Sequence, residues 1–173
     1  VFTRFLHHEG YVKDGIRLPK VKQPHTTISP LNPSQMKAIL HSFDTKTYLG
    51  IRNYTIVRLF LDTGMRLSEL SQLQLNEVNL EEGFVLVHGK GAKDRYVPIG
   101  RSTIKCLWNY IKKRAVIDVN TNYYLFLTQR GTTLSARGIQ IVFRSLKKKL
   151  NLDGRKLSPH LLRHSFALAY IEN

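Results

Sequence analysis

Cysteine is nearly absent. Cys106 stands alone in 173 residues, so no internal disulfide can form and a cross-linked secreted scaffold is excluded. A reducing cytoplasm is the expected home. Long apolar runs are also missing: no stretch approaches the ~18 residues that cross a bilayer, which excludes a helical membrane span. Val1-Phe2-Thr3-Arg4 lacks the charged and then long apolar regions of a signal peptide. Acid is scarce as well. Against 27 Lys and Arg stand 12 Asp and Glu, giving a net charge of +15 and a pI of about 10.2. With 42% hydrophobic and 23% charged residues, the rest of the composition is that of a globular chain with one well-buried core and room for a second small element. So basic a compact chain repels itself unless a polyanion is near. Nucleic acid is the first partner to consider, an acidic membrane surface the second, and ribosomal-type RNA binding the third.

The charge is uneven. Residues 31–100 hold 8 basic and 7 acidic side chains, whereas residues 130–173 hold 9 and 2, so one positive face is expected rather than a uniform coat. The chain starts at Val1 and stops at Glu172-Asn173 inside a helical pattern with no cap. The expectation is a piece of a longer protein, with a naturally short chain as the alternative.

Phe2, Phe5 and Leu6 have helical spacing, and the chain then leaves past Gly10 and Gly15. Residues 19–30 are rich in Lys, Pro and Thr without periodicity and read as a linker. Asn32, Pro33 and Gln35 mark a helix start with a capping box, and the helix runs to about Phe43 with Met36, Ile39 and Leu40 on one side. A second helix spans about 51–62, with Ile56, Leu59 and Phe60 inward, and ends at Thr63-Gly64. A third begins near Leu67. Residues 84–88 and 95–99 are short and β-branched and read as a hairpin with a glycine-rich tip, Pro98 marking an edge or an end. A helix over about 102–115 is expected to bury Ile104, Leu107, Trp108 and Ile111. A short strand at Tyr124–Leu127, a helix over about 135–150 and a last helix from Ser158-Pro159 complete the chain. The expected fold is mainly α with a small antiparallel β-sheet.

Three stretches carry candidate chemistry. Arg66 follows the Gly64 break among apolar neighbours, with Glu69 at i+3; it is either one half of a surface ion pair or a guanidinium held by Glu69 and aimed at a phosphate. Lys90 sits in Gly89-Lys90-Gly91, which lacks the Gly-Lys-Ser/Thr of a Walker loop. It is either a solvated turn lysine or a mobile cation able to enter a groove and deliver a proton. His160 and Arg163 are i,i+3 neighbours in the first turns of the last helix, where free amides and the helix dipole favour an anion. His160 and His164 also have i,i+4 metal spacing, but no acid or cysteine stands where it would complete a zinc site, and two structural histidines are the plainer account.

Taken in order, Thr63-Gly64-Met65-Arg66-Leu67-Ser68-Glu69-Leu70, the Gly89–Pro98 hairpin and Leu157-Ser158-Pro159-His160-Leu161-Leu162-Arg163-His164-Ser165-Phe166-Ala167 resemble the catalytic domain of tyrosine recombinases, the phage integrase/Xer family. The resemblance covers about residues 30–173. It implies the DNA breaking-rejoining fold, with residues 1–18 a remnant of an N-terminal core-binding domain, 19–30 an interdomain linker and 31–173 a catalytic domain truncated at its C-terminus. It implies that Arg66 and Arg163 hold the non-bridging oxygens of a DNA phosphodiester. Lys90 protonates the departing 5′ oxygen, with Lys93 as the alternative lysine, while His160 assists in proton transfer and Glu69 buttresses the site. The partners it implies are double-stranded DNA and other recombinase subunits, a tetramer on DNA, in a bacterial cytoplasm. It also implies no metal and no cofactor, and no membrane partner is expected.

The family's nucleophile is a tyrosine a few dozen residues beyond His-x-x-Arg, which leaves none in this chain. Tyr170 lies seven positions past Arg163, ~10 Å along a helix at 1.5 Å per residue, too far for near-attack geometry of ~3–3.5 Å unless the helix breaks. It reads instead as a core or interface aromatic. The fragment is therefore expected to bind DNA without forming the covalent link. A non-catalytic basic DNA-binding module is the alternative. An RNA-binding structural protein has only the net charge in its favour and lacks an aromatic stacking motif.

Overall fold

The computed structural model describes residues 5, 7–11, 29–89, 94–117, 123–151 and 157–171. Leu31 is buried, and its amide donates to the Ser165 hydroxyl (2.9 Å) near the other end of the chain. Asn32 then caps α1 (Pro33–His41): its side chain accepts from the Gln35 amide (2.8 Å) and the Gln35 side chain accepts from the Asn32 amide (3.0 Å), the reciprocal box the sequence indicates. Helix α2 (Tyr48–Thr63) starts ahead of the apolar spacing because Thr47 caps it, accepting from the Gly50 amide (3.1 Å). It stops at Gly64, which takes the left-handed conformation (φ 57°).

After α3 (Leu67–Gln72) a single 3-10 turn, Leu75–Glu77, leads into the sheet. Strands β1 (Val78–Asn79), β2 (Phe84–His88) and β3 (Asp94–Pro98) are antiparallel in the order β1-β2-β3, with His88 opposite Asp94 and Val87 opposite Arg95. The sequence shows the β2–β3 hairpin, but two residues are too few for β1 to display any alternation. Pro98 closes an edge strand, where its missing amide leaves no ladder partner orphaned. The hairpin tip, residues 90–93, lies outside the described residues, as does nearly all of the expected linker.

Three helices follow: α4 (Arg101–Ile117), α5 (Ala136–Lys149) and α6 (Pro159–Ile171). Two expectations need correction here. Helix α4 turns Thr103, Cys106, Leu107, Tyr110 and Arg114 inward, while Trp108 is 50% exposed with the Lys112 ammonium over its ring. Thr103 and Arg114 belong to the buried face although they are polar, so a pattern read from hydrophobicity alone is rotated. Residues 124–127 form no strand, only isolated bridges from Tyr124 to Gln74 and from Leu127 to Thr133. Side chains take up carbonyls that a neighbouring strand would otherwise use. Arg114 donates to Tyr124 O (2.8 Å) and Leu125 O (3.0 Å), and Arg52 donates to Leu127 O (2.9 Å).

The core lies around α2, which packs on α4 and α6. Phe60 meets Phe143 edge-on at 5.7 Å and Tyr110 stacks on Phe126 at 5.2 Å. Leu59, Leu70, Leu107, Leu125 and Ile139 are wholly buried, each worth about 1.5–3 kcal/mol of transfer free energy. The loop between α2 and α3, which carries Arg66, is thereby fixed on a rigid base. Among the described residues no helix is long and apolar enough to cross a membrane.

Candidate active site

Arg66 occupies the extended position just ahead of α3 (φ −78°, ψ 155°), forced there by the chain reversal at Gly64. Met65 beside it is fully buried and anchors the turn, so the Arg66 side chain projects outward with 59% of its surface exposed. Glu69, one turn later, has a side chain only 5% exposed and accepts from both ends of Arg66: the amide (2.7 Å) and a guanidinium nitrogen (2.9 Å). The helix start and the guanidinium are thus held by one carboxylate.

Arg95 reaches the same carboxylate from β3. Its two terminal nitrogens donate to the two oxygens of Glu69 at 3.0 and 2.8 Å in a fork-to-fork pair. Burial alone raises the Glu69 pKa, but the hydrogen bonds from Arg95 and Arg66 outweigh it and hold the group at about 2. Arg95 is raised in turn, chiefly by its bond to Glu69. Sequence reasoning gave Arg95 no role. No spacing rule joins a strand residue to an acid 26 positions earlier, and the only available signal was its place in the glycine-lysine motif.

Arg163, in the second turn of α6, is half-buried and donates to the carbonyl of Gly64, two residues before Arg66. Pro159 opens α6, the Ser158 hydroxyl accepts from the Leu161 amide (3.3 Å), and His160 stands exposed in the first turn. The outcome is an open cavity of about 670 Å³ bordered by Arg66, His160 and Arg163 together with Arg144 and Lys147 of α5. Met65, Phe143 and Leu157 form its apolar floor, and no acidic side chain and no tyrosine lines it among the described residues. Two of the three distant stretches therefore meet at one cationic cavity. Glu69 lines a second cavity, about 590 Å³, that shares Arg66 and also contains His88 and Gly89 at the hairpin base. Lys90 and Lys93 lie outside the described residues. Among the described residues no three His, Cys, Asp or Glu side chains are grouped to hold a metal ion.

The model of the phage integrase family matches residues 30–173, which takes in every element of this site. The chain belongs to the phage integrase family. It is 38% identical over 175 residues to the tyrosine recombinase XerC of Bacillus pumilus (strain SAFR-032), covering 96% of this chain and 56% of that protein. Among solved structures, the XerA recombinase superposes with a TM-score of 0.75 at 30% identity, covering 91% of this chain and 56% of that one. The XerH site-specific recombinase bound to palindromic difH substrate, a post-cleavage complex, superposes with a TM-score of 0.71 at 26% identity over 88% of this chain and 46% of that one. This integrase-family chain thus spans about half the length of the proteins it matches. Its mostly helical body with one small antiparallel sheet is the fold of tyrosine recombinase catalytic domains.

A further cluster of this integrase-family domain escaped the sequence. His88, the last residue of β2, places Nε2 2.6 Å from Glu77 Oε1 and Nδ1 2.8 Å from Asp94 Oδ1. Glu77 also accepts from the Gln74 amide (2.6 Å). The hydrogen bonds to Asp94 and then to Glu77 raise the His88 pKa above its ordinary value. The cluster fastens the end of β2 to the start of β3 and both to the 3-10 turn before β1.

Proposed function

We propose that this chain is the catalytic domain of a site-specific DNA recombinase, cutting and rejoining strands through a 3′-phosphotyrosyl intermediate in the full-length protein. The observation that carries this reading is the meeting of Arg66, His160 and Arg163 around one cavity without acidic lining, with Arg66 held by Glu69. In a phosphoryl transfer the charge to be stabilised lies on the equatorial and leaving oxygens, and fixed cations supply that stabilisation without a metal. Arg66 and Arg163 hold the non-bridging oxygens. His160 assists proton transfer and phosphate contact, Glu69 orients Arg66, and Lys90 protonates the departing 5′ oxygen, Lys93 being the second choice. The partners in this reading are duplex DNA and further recombinase subunits, with a bacterial cytoplasm as the place of action. The DNA-bound state of the similar XerH structure supports the DNA partner.

The nucleophile is not among residues 1–173 in this reading. Helix α6 runs unbroken from Pro159 to Ile171, so Tyr170 stays ~10 Å along the axis from Arg163. The test is to incubate the 173-residue chain with nicked target duplex and follow both binding and covalent adduct. Salt-sensitive binding without adduct is expected, and replacing Arg66 and Arg163 together by Ala should weaken it. An adduct at Tyr170 overturns the assignment of the nucleophile. Unchanged binding by the double variant overturns the assignment of the cradle and leaves a merely basic DNA-binding module. Stronger binding to RNA than to duplex DNA overturns both.

A further inference from the structure

Arg66 and Arg95 share one carboxylate, and the charge arithmetic of that trio matters for what Arg66 can do. Both Glu69 oxygens are engaged twice: Oε2 by the Arg66 amide and by Arg95, Oε1 by the Arg66 guanidinium and by Arg95. A guanidinium paired one-to-one with a carboxylate is a neutral unit, and its field at a nearby phosphate is largely cancelled. Two guanidinium groups around one carboxylate leave one net positive charge. The exposures decide where that charge lies. Glu69 is 5% exposed, Arg95 39% and Arg66 59%, so the cation facing the open cavity is Arg66. Arg95 belongs to β3 and lines neither cavity.

We infer that Arg95 is the counter-ion of Glu69, a positioning residue that neutralises the buried carboxylate so that Arg66 keeps its full charge for the phosphate. Arg95 touches no substrate in this scheme. It acts through Glu69, and it ties β3 to α3, the helix that starts just after Arg66. The inference rests on the proposed role of Arg66 at a DNA phosphate and goes beyond it in assigning the source of its charge.

The experiment measures binding of the 173-residue chain to duplex DNA over a series of salt concentrations. R66A and R163A set the scale. Losing one phosphate contact should lower the slope of log K against log salt by about 0.9 and the affinity about tenfold. R95M should reproduce the R66A loss although Arg66 is intact. R95K, which keeps the charge but not the fork, should retain the wild-type slope. E69Q added to R95M should restore the slope and part of the affinity, because removing the unbalanced acid frees the charge of Arg66 while the neutral amide holds it less firmly. That rescue is not expected if Arg95 only braces the fold or contacts a phosphate itself. R95M with wild-type binding, or an E69Q/R95M double variant no better than R95M, overturns the inference. If R66A and R163A both bind as wild type, the recombinase cradle itself fails. Far-UV circular dichroism checks folding. Where R95M is unfolded, R95K decides: a retained slope supports the inference and a lost one overturns it.

Discussion

The carbonyl of Gly64 accepts a hydrogen bond from the Arg163 guanidinium, and the same glycine lies against the ring of Phe166 on α6. A Cβ placed on Gly64 would stand 2.3 Å from Phe166 Cδ1, and φ 57° already disfavours any side chain. Gly64→Ala should therefore cost about 2–4 kcal/mol, the left-handed penalty added to overpacking. A thermal melt should move down by roughly 5–10 °C for a domain of this size. In the proposed reading DNA affinity should fall as well, since the glycine carbonyl holds Arg163 two residues from Arg66. A melt within 1–2 °C of wild type (about 0.5 kcal/mol) would sink the claim that this contact is tight.

Glu69 makes acid sensitivity local. Its carboxyl is lowered from an ordinary 4.5 to about 2, burial opposing and the bonds from Arg95 and Arg66 prevailing. A depressed carboxyl stabilises the fold above its unfolded value and loses that contribution as pH falls through the folded one, here between about 4.5 and about 2. The contribution is on the order of 2 kcal/mol once solvent screening is allowed for. Urea denaturation of wild type and Glu69→Gln should differ most above pH 5 and converge as pH drops toward 3. A constant gap over that range contradicts the ion pairing.

What the sequence made legible is local. The Asn32–Gln35 box, the Gly64 terminator and the Ser158-Pro159 start each involve residues within one turn, where spacing fixes contact. Arg66 and Arg163 were legible as a pair only through the family resemblance of their two motifs, and their meeting needs only the packing of α2 on α6. The rest depends on partners far along the chain. Arg95 meets Glu69 across the sheet edge, His88 meets Glu77 below it, and Arg114 meets carbonyls ten positions away. Hydropathy marks such residues as surface, since it registers their charge and not the acceptor that satisfies it. That blindness also put Trp108 inside α4.

His88 should give the opposite pH response to Glu69. With both ring nitrogens donating, to Asp94 and to Glu77, the charged ring is the bound form and its pKa is raised. A raised group contributes fully below its ordinary 6.5 and loses the contribution as pH rises through the higher folded value. Wild type should therefore exceed His88→Gln in stability most clearly near pH 5.5–6, and the difference should shrink by pH 9. Amide protection along β2 and β3, measured against the intrinsic exchange rate at each pH, should fall over the same rise in pH. A gap that widens with pH would show the ring to be neutral in the clamp.

The two faces of α4 supply the sharpest contrast. Arg114 is 3% exposed, and its donors bind Tyr124 O and Leu125 O, holding a segment that has no strand of its own. Arg114→Met keeps the volume but takes the charged donor from Tyr124 O and leaves Leu125 O with the Tyr110 hydroxyl (3.0 Å), a cost of about 2 kcal/mol. Arg114→Lys should recover little, because a single ammonium cannot reproduce the planar fork that spans two successive carbonyls. Trp108, one turn and a half back, is the larger apolar residue and by composition the obvious core position, yet it is 50% exposed. Trp108→Gln should shift stability by well under 1 kcal/mol, the loss of its contact with Lys112 included. Chemical denaturation of the three variants side by side checks the order. If Trp108→Gln proves the most damaging, the helix is rotated and the segment 124–127 is held by something other than Arg114.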